Sequence, residues 1–342
     1  MIRQEAAPMS PVTADPAANL SPVLQTLYAP VAAELTQVEA IFRREMHHPH
    51  PYVDELVRYG CLLGGKRLRP ALLLLTAKAA GRVTPEHLTL AAVVEMIHTA
   101  TLVHDDVLDN AQMRRHLATV NARWDNEASV LLGDYLFTHA FHLASTIDSV
   151  LGCRIIGQAT NIVCEGELRQ KGTRGQFDLS EQEYLEVIEA KTAELTACSC
   201  RLGALFAGLP EEQVEQLDLY GRELGIAFQI ADDLLDLSGE EDTTGKSLGT
   251  DLEKQKPTLP LIHTLREATA DDRQKLLDLL TNEQANPRTL LPYLQRYGGL
   301  EYARARAQEY SNQSRRRLEC LPPSPAKDVL LTIADFVVAR SH

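Results

Sequence analysis

From Glu86 to Asp109 the chain runs 24 residues without a glycine or a proline. As a helix that stretch is about 36 Å long. Its middle, Leu88 to Val103, is apolar on nearly every side. A helix with no face to give to water must lie inside a bundle of others. Its end is the unusual part: His-Asp-Asp-Val-Leu-Asp puts Asp105, Asp106 and Asp109 where an apolar segment stops. Whatever the chain folds into, a buried helix has to deliver carboxylates to one end of it.

The remaining patterning supplies the other helices. Val31 to His47 repeats apolar residues near a 3.6 period. Pro70 opens Ala71–Ala80 and Gly81 closes it, and Thr84 caps the long helix with Pro85 behind it. Further helices are predicted over Ser129–Ser145, Gly152–Lys171, Ser180–Leu209, Glu211–Ser238, Pro257–Ala268, Asp271–Leu280, Leu300–Leu318 and Pro325–Arg340. No run alternates as a strand between hairpin turns. The predicted fold class is all-α, one helical domain over residues 23–342 behind a flexible Ala/Pro-rich leader over 1–22.

Composition narrows the function classes. With 44% hydrophobic residues the chain has material for a real core. A formal net charge of −13 argues against a general nucleic-acid or anionic-membrane binder. No apolar stretch approaches 18 residues, so no membrane span is predicted, and no secretory signal precedes the domain. Cys61, Cys153, Cys164, Cys198, Cys200 and Cys320 are scattered without metal or redox spacing, which fits reduced thiols in a cytoplasmic protein.

The acidic pattern recurs. Asp232, Asp233 and Asp236 repeat the Asp-Asp-x-x-Asp spacing 127 residues after the first cluster. Positions i and i+4 share a helix face, so Asp105 with Asp109, and Asp232 with Asp236, present paired carboxylates. Such pairs cost a helix roughly 0.2–0.5 kcal/mol each, and apolar surroundings add to that cost. One cluster reads equally well as a solvated helix end. Two with identical spacing on apolar helices point to an ion, and all-oxygen donors suit Mg²⁺ bridging carboxylates to phosphates. No Cys/His set suits zinc, and no EF-hand loop suits calcium.

Cations follow the acids. Gly64-Gly65-Lys66-Arg67-Leu68-Arg69-Pro70 sets three of them beside a helix start, a natural anion site. Arg114 and Arg115 come five and six residues after Asp109. Lys191, Lys246 and Lys256 are further candidates, and His98 alone reads as a core histidine. Gly245-Lys246-Ser247 is not a nucleotide P-loop, since five residues separate it from Gly239 and no strand precedes it. A mobile Gly-rich loop carrying Lys246 over the site fits better.

With these residues together, the chain from about Tyr28 to Arg340 resembles the trans-polyprenyl diphosphate synthases. Gly-Gly-Lys-Arg-Leu-Arg-Pro, both acidic motifs, Arg114-Arg115, Gly133-Asp134-Tyr135, Lys191-Thr192, Phe228-Gln229 and Lys246 through Pro257 carry the likeness. It implies an isoprenoid synthase bundle around a central apolar cavity, a homodimer, and Mg²⁺ held by Asp105, Asp109 and Asp232, with Asp106, Asp233 and Asp236 in support. It places Arg114, Lys191, Thr192, Gln229 and Lys246 on an allylic diphosphate, farnesyl or geranylgeranyl. Lys66, Arg69, His98 and Arg115 would hold isopentenyl diphosphate. The implied catalytic set is Asp105, Asp106, Asp109, Arg114, Lys191, Asp232, Asp233 and Lys246. Short-product relatives carry a bulky aromatic where this chain has Ala100 and Thr101. The likeness therefore implies a long product, about seven to ten isoprene units, since a small side chain leaves room a ring would fill. Phe137 and Phe141 offer a deeper floor. A four-unit synthase and an inactive partner subunit are the alternatives. Two positions depart from the pattern: His116 and Asp125 stand where glycine is usual, which bears on loop geometry and removes no ligand.

Overall fold

The structure, a computed structural model, describes residues 22–63, 65–238, 249–282 and 286–339. The expected leader falls outside these residues, save Pro22, which opens the first helix, and so does Lys246. In chain order the helices are α1 (Pro22–Tyr28), α2 (Ala32–Glu45), α3 (Pro51–Leu62), α4 (Leu68–Ala79), α5 (Pro85–Leu108), α6 (Val120–Arg123), α7 (Asn126–Ser145), α8 (Val150–Gly172), α9 (Glu181–Ile188) and α10 (Glu194–Ala207). There follow α11 (Glu211–Ser238), α12 (Thr250–Glu253), α13 (Leu259–Glu267), α14 (Ala270–Thr281), α15 (Pro287–Arg296), α16 (Gly299–Arg317) and α17 (Pro325–Ala339). The all-α expectation holds.

The long apolar helix sits where its composition demands. In α5, Val93, Val94, Met96, Ile97 and Ala100 have no exposed surface, and Leu72–Leu75 of α4 pack against it just as completely. Helix α10 runs through the middle, touching α4, α5, α8 and α11. Toward the end of α5 burial lapses, and His98, Thr101, Leu102 and Asp105 are among the residues that keep some surface. Their spacing of three and four places these four on one stripe leading to the acidic end.

Four local expectations need correction. Five helices, α1, α3, α6, α12 and α15, lie outside the predicted set; all are short, and α1, α3 and α15 begin at a proline, Pro22, Pro51 or Pro287. A small hairpin exists, with Met113–Arg114 antiparallel to Leu117–Ala118. Two-residue strands are too brief for alternation to show. Arg115 (φ 51°) and His116 (φ 65°) form its turn, both left-handed, which is why a glycine-like position here carries histidine only at some strain. Asp125 is the N-cap of α7, its carboxylate accepting the Ala128 N–H at 2.7 Å. Finally, Ser180–Leu209 is not one helix: a π-helical turn, Glu189–Ala193, separates α9 from α10.

Candidate active site

Both acidic clusters end their helices at the same end of the bundle, and the segment after α12 ties them together. Lys254 Nζ lies 2.8 Å from Asp109 Oδ2. Lys256 Nζ lies 3.1 Å from Asp251, and Asp251, Asp109 and Asp233 together hold its ammonium above the ordinary lysine range despite burial. A single lysine thus feels carboxylates from the α5 end and the α11 end at once.

The first cluster is compensated by cations from elsewhere. Arg114, at the hairpin, forks onto Asp106 with contacts of 2.8, 3.0 and 3.1 Å. Asp106 is 2% exposed, and its burial outweighs that arginine and moves its carboxyl up. Arg174 Nη2 donates to Asp109 Oδ1 at 3.3 Å, and with Lys254 and Lys256 it surrounds that carboxylate; its pKa falls despite the opposing effect of burial. Lys191 Nζ stands 4.0 Å from Asp105, 2.6 Å from Glu167 and 2.9 Å from Gln170 Oε1.

Neutral donors hold the second cluster. Tyr184 Oη donates to Asp233 Oδ2 at 2.7 Å and Gln229 Nε2 to Oδ1 at 2.8 Å. Burial nonetheless raises the Asp233 carboxyl, with Asp251 adding to it. The Thr192 hydroxyl donates to Gln229 Oε1 at 2.9 Å, so Thr192, Gln229 and Asp233 form one chain. Asp236 caps α12, accepting the Thr250 N–H (3.1 Å), the Thr250 hydroxyl (2.9 Å) and the Asp251 N–H (3.1 Å). Asp232 keeps partial exposure on the same helix end.

The cationic wall sorts its three predicted residues differently. Arg67, in a left-handed conformation (φ 55°), turns inward to the carboxylates of Glu39 and Glu95 and over the Phe42 ring. It anchors the turn. Lys66 is exposed, while Arg69 is held low by burial and keeps a buried Nε with no hydrogen-bond acceptor. Gly65 admits the Arg115 guanidinium, which would lie 3.2 Å from a Cβ there. Burial first, and then the charges of Arg69, Arg115, Arg114 and Arg67, hold the His98 imidazole well below its ordinary range. An orphaned guanidinium donor among clustered arginines is suited to an anion with many oxygens.

For a metal, the donor chemistry fits a hard cation: Asp105, Asp109 and Asp232 offer only oxygen. Among the described residues no three His, Cys, Asp or Glu side chains converge tightly enough to enclose an ion unaided. Glu167, Gln170, Arg174, Tyr184 and Lys254 were not foreseen. Each is an ordinary helix or loop residue in sequence, and only Lys254, two before the candidate Lys256, gave any signal.

Ala100 and Thr101, expected side by side along a channel, separate. Thr101 lies on the exposed stripe with its hydroxyl on the His98 carbonyl at 2.8 Å. Ala100, about 100° round the helix, has no exposed surface and packs in the core.

The bundle brings the two Asp-Asp-x-x-Asp helix ends together around the segment that follows α12, with Arg114 seated on the first of them. The polyprenyl synthetase family model matches residues 50–295, and the chain belongs to that family. It is 38% identical to the octaprenyl diphosphate synthase of Escherichia coli over 91% of this chain and 97% of that one. It is 36% identical to a short chain isoprenyl diphosphate synthase of Methanothermobacter thermautotrophicus over 82% and 87%. The crystal structure of a decaprenyl diphosphate synthase from Rhodobacter capsulatus superposes with a TM-score of 0.88 at 36% identity, covering 93% of this chain and 99% of that one. A polyprenyl synthase from Caulobacter crescentus, complexed with calcium and isoprenyl diphosphate, gives 0.87 at 33% identity over 93% and 98%.

Proposed function

We propose that this chain is a trans-prenyltransferase that condenses isopentenyl diphosphate with an allylic diphosphate, farnesyl or geranylgeranyl, and repeats the step to a long all-trans polyprenyl diphosphate. The observation that carries the reading is the meeting of both acidic helix ends at one short segment, with Lys254 on Asp109 and Thr250 on Asp236, beside Arg114 on Asp106 and the unpartnered buried Nε of Arg69. Relatives that make octaprenyl and decaprenyl chains support the long product.

Asp105, Asp109 and Asp232 would hold Mg²⁺, which supplies charge to a leaving diphosphate worth on the order of several kcal/mol. Lys191, Thr192 and Gln229 sit beside these carboxylates and orient the allylic diphosphate, with Arg114 and Lys246 assigned there by resemblance. Lys66, Arg69, His98 and Arg115 hold isopentenyl diphosphate so that its double bond faces the ionising allylic carbon. A neutral His98 serves as a hydrogen-bonding group without adding to the arginines' repulsion. Asp106, Asp233 and Asp236 fix the helix ends. The apolar residues of α5 below Asp105 keep water from the cation. The released diphosphate takes the proton, because the carboxylates here are committed to lysines, arginines and hydroxyls.

The growing chain descends the Thr101 face. A four-unit product is the second reading, favoured by one observation: Ala100, Met96 and Ile97 leave no water-sized space beside them. Purified protein given Mg²⁺, labelled isopentenyl diphosphate and farnesyl diphosphate decides it. A ladder ending at about seven to ten units is expected; a stop at four refutes the long chain, and no Mg²⁺-dependent incorporation refutes the enzyme.

A second copy of the chain is the partner. Val130 (43%) and Leu131 (59%) on α7, with Val150 (77%), Leu151 (47%) and Leu168 (71%) on α8, leave large apolar side chains exposed. Light scattering of wild type and Leu131→Glu tests the homodimer; a monomeric wild type overturns it. No helix among the described residues is long and apolar enough to cross a membrane, and a cytoplasmic site of action is proposed.

A further inference from the structure

The π-helical turn Glu189–Ala193 stands in a stretch without glycine or proline, where an unbroken helix was expected. Its closing bond runs from the Glu194 N–H to the Glu189 carbonyl, five residues back. A π turn inserts one residue and is rarely kept without a use. Here it splays neighbouring side chains toward two different helices. Lys191 turns to Glu167 and Gln170 of α8 and toward Asp105, and Thr192 turns to Gln229 of α11.

Both flanking helices come unusually close to this turn. A Cβ on Gly166 of α8 would lie 2.4 Å from the Lys191 backbone nitrogen. A Cβ on Gly225 of α11 would lie 2.5 Å from the Ala193 Cα. The backbone of the turn is therefore held between two helix surfaces that only glycine can bring so near. One guanidinium spans its two ends. Arg222 Nη1 donates to Glu189 Oε1 at 3.1 Å and to Glu194 Oε2 at 2.7 Å, while Nη2 donates to Asp218 at 3.2 Å. Glu189 opens the turn and Glu194 is the residue just after it.

We infer that Arg222 is a positioning residue: by bridging Glu189 and Glu194 it holds the π turn open and so sets where Lys191 and Thr192 meet the allylic diphosphate. Two carboxylates brought together at the ends of the turn repel unless a cation lies between them. A planar guanidinium can serve both at once in fixed geometry, which an ammonium cannot. With Arg222 gone, the extra residue is no longer held, and regular α-helix turns Lys191 away from Asp105. The functional half of this inference rests on the proposed diphosphate site; the mechanical half does not.

The two halves are tested separately. Hydrogen exchange on the full-length protein reads the clamp without substrate. In Arg222→Met the amides of residues 189–194 are expected to exchange at least tenfold faster, with α4 and α5 unchanged; equal protection overturns the clamp. Steady-state kinetics read the consequence. Arg222→Met is expected to raise KM for the allylic diphosphate about tenfold and leave KM for isopentenyl diphosphate within twofold. Arg222→Lys recovers part of the loss. In a Lys191→Ala background the Arg222→Met substitution should add clearly less than it does in wild type, because only the share acting through Thr192 remains. Parallel rises in both KM values, or full additivity with Lys191→Ala, overturn the positioning role. If Lys191→Ala alone leaves the allylic KM unchanged while exchange rises in Arg222→Met, the diphosphate assignment fails and the clamp stands. Should Arg222→Met not fold, Glu189→Gln removes one end of the bridge at a side chain that is 41% exposed, with the same readouts.

Discussion

The two acidic helix ends share a spacing and little else. At the end of α5, charge is met by charge: Arg114 on Asp106, Arg174 and Lys254 on Asp109, Lys191 near Asp105. At the end of α11, charge is met by neutral donors: Tyr184 and Gln229 on Asp233, and Thr250 with backbone N–H groups on Asp236. An identical run of letters therefore makes two different devices. The first is a carboxylate set held by cations from distant segments, which a metal-bound diphosphate could replace. The second is a bracket of hydroxyl, amide and backbone donors around Asp233 and Asp236, with Asp232 partly exposed on the same helix end. The partners a motif meets from distant segments shape what its contacts hold, and local spacing does not contain those partners.

The largest expected effect breaks the first device. Asp105→Ala should lower turnover by on the order of 10³-fold, about 4 kcal/mol of transition-state stabilisation, with the fold retained. Labelled isopentenyl incorporation and circular dichroism check it; intact turnover would remove the α5 end from the chemistry. A stability comparison separates the two ends next. Asp106→Asn strands the Arg114 guanidinium, and because Arg114 keeps 23% of its surface the cost is discounted to about 2 kcal/mol. Asp233→Asn keeps an acceptor for Tyr184 and sheds a charge that burial disfavours, so it should cost less than about 1 kcal/mol. Urea midpoints on both variants decide it. Equal losses would mean the ends are built alike.

The bundle was legible because a 24-residue apolar helix leaves few alternatives and the acid spacing announces itself. Element interiors followed from periodicity, and Thr84 from its position before Pro85. What escaped has identifiable causes. The π turn carries no letter of its own, since its cause is Arg222 reaching back from another helix to Glu189 and Glu194. Arg67 is indistinguishable in sequence from Lys66 and Arg69, yet Glu39 and Glu95 pull it inward. Ala100 and Thr101 are adjacent letters, and one helical step sends them to different faces. In each case the missing information is a partner far along the chain or an angle about an axis.

The arginine wall faces the first end only, and pH exposes it. His98 stays neutral in the folded protein, its pKa depressed by burial and by Arg69, Arg115, Arg114 and Arg67. The unfolded chain binds a proton there below about pH 6.5. The unfolded state then carries more protons, so stability falls as pH falls through that value, by up to about 1.4 kcal/mol per pH unit. Between pH 7.5 and 5.5, wild type should lose about 1 kcal/mol more than His98→Gln in urea titrations. Matching losses would place His98 in water.

The smallest effect sharpens the second end. Thr250→Val removes the hydroxyl on Asp236 but leaves the two N–H donors, so the bracket should loosen by about 1 kcal/mol without opening. The same reasoning makes it a selective probe. If neutral donors serve only to hold α11 against α12, the variant lowers the urea midpoint and leaves KM for both diphosphates within twofold. A change in KM comparable to that of Lys191→Ala would mean that Asp236 reaches the substrate. The α11 end would then share the exchangeable character of the α5 end rather than bracing it.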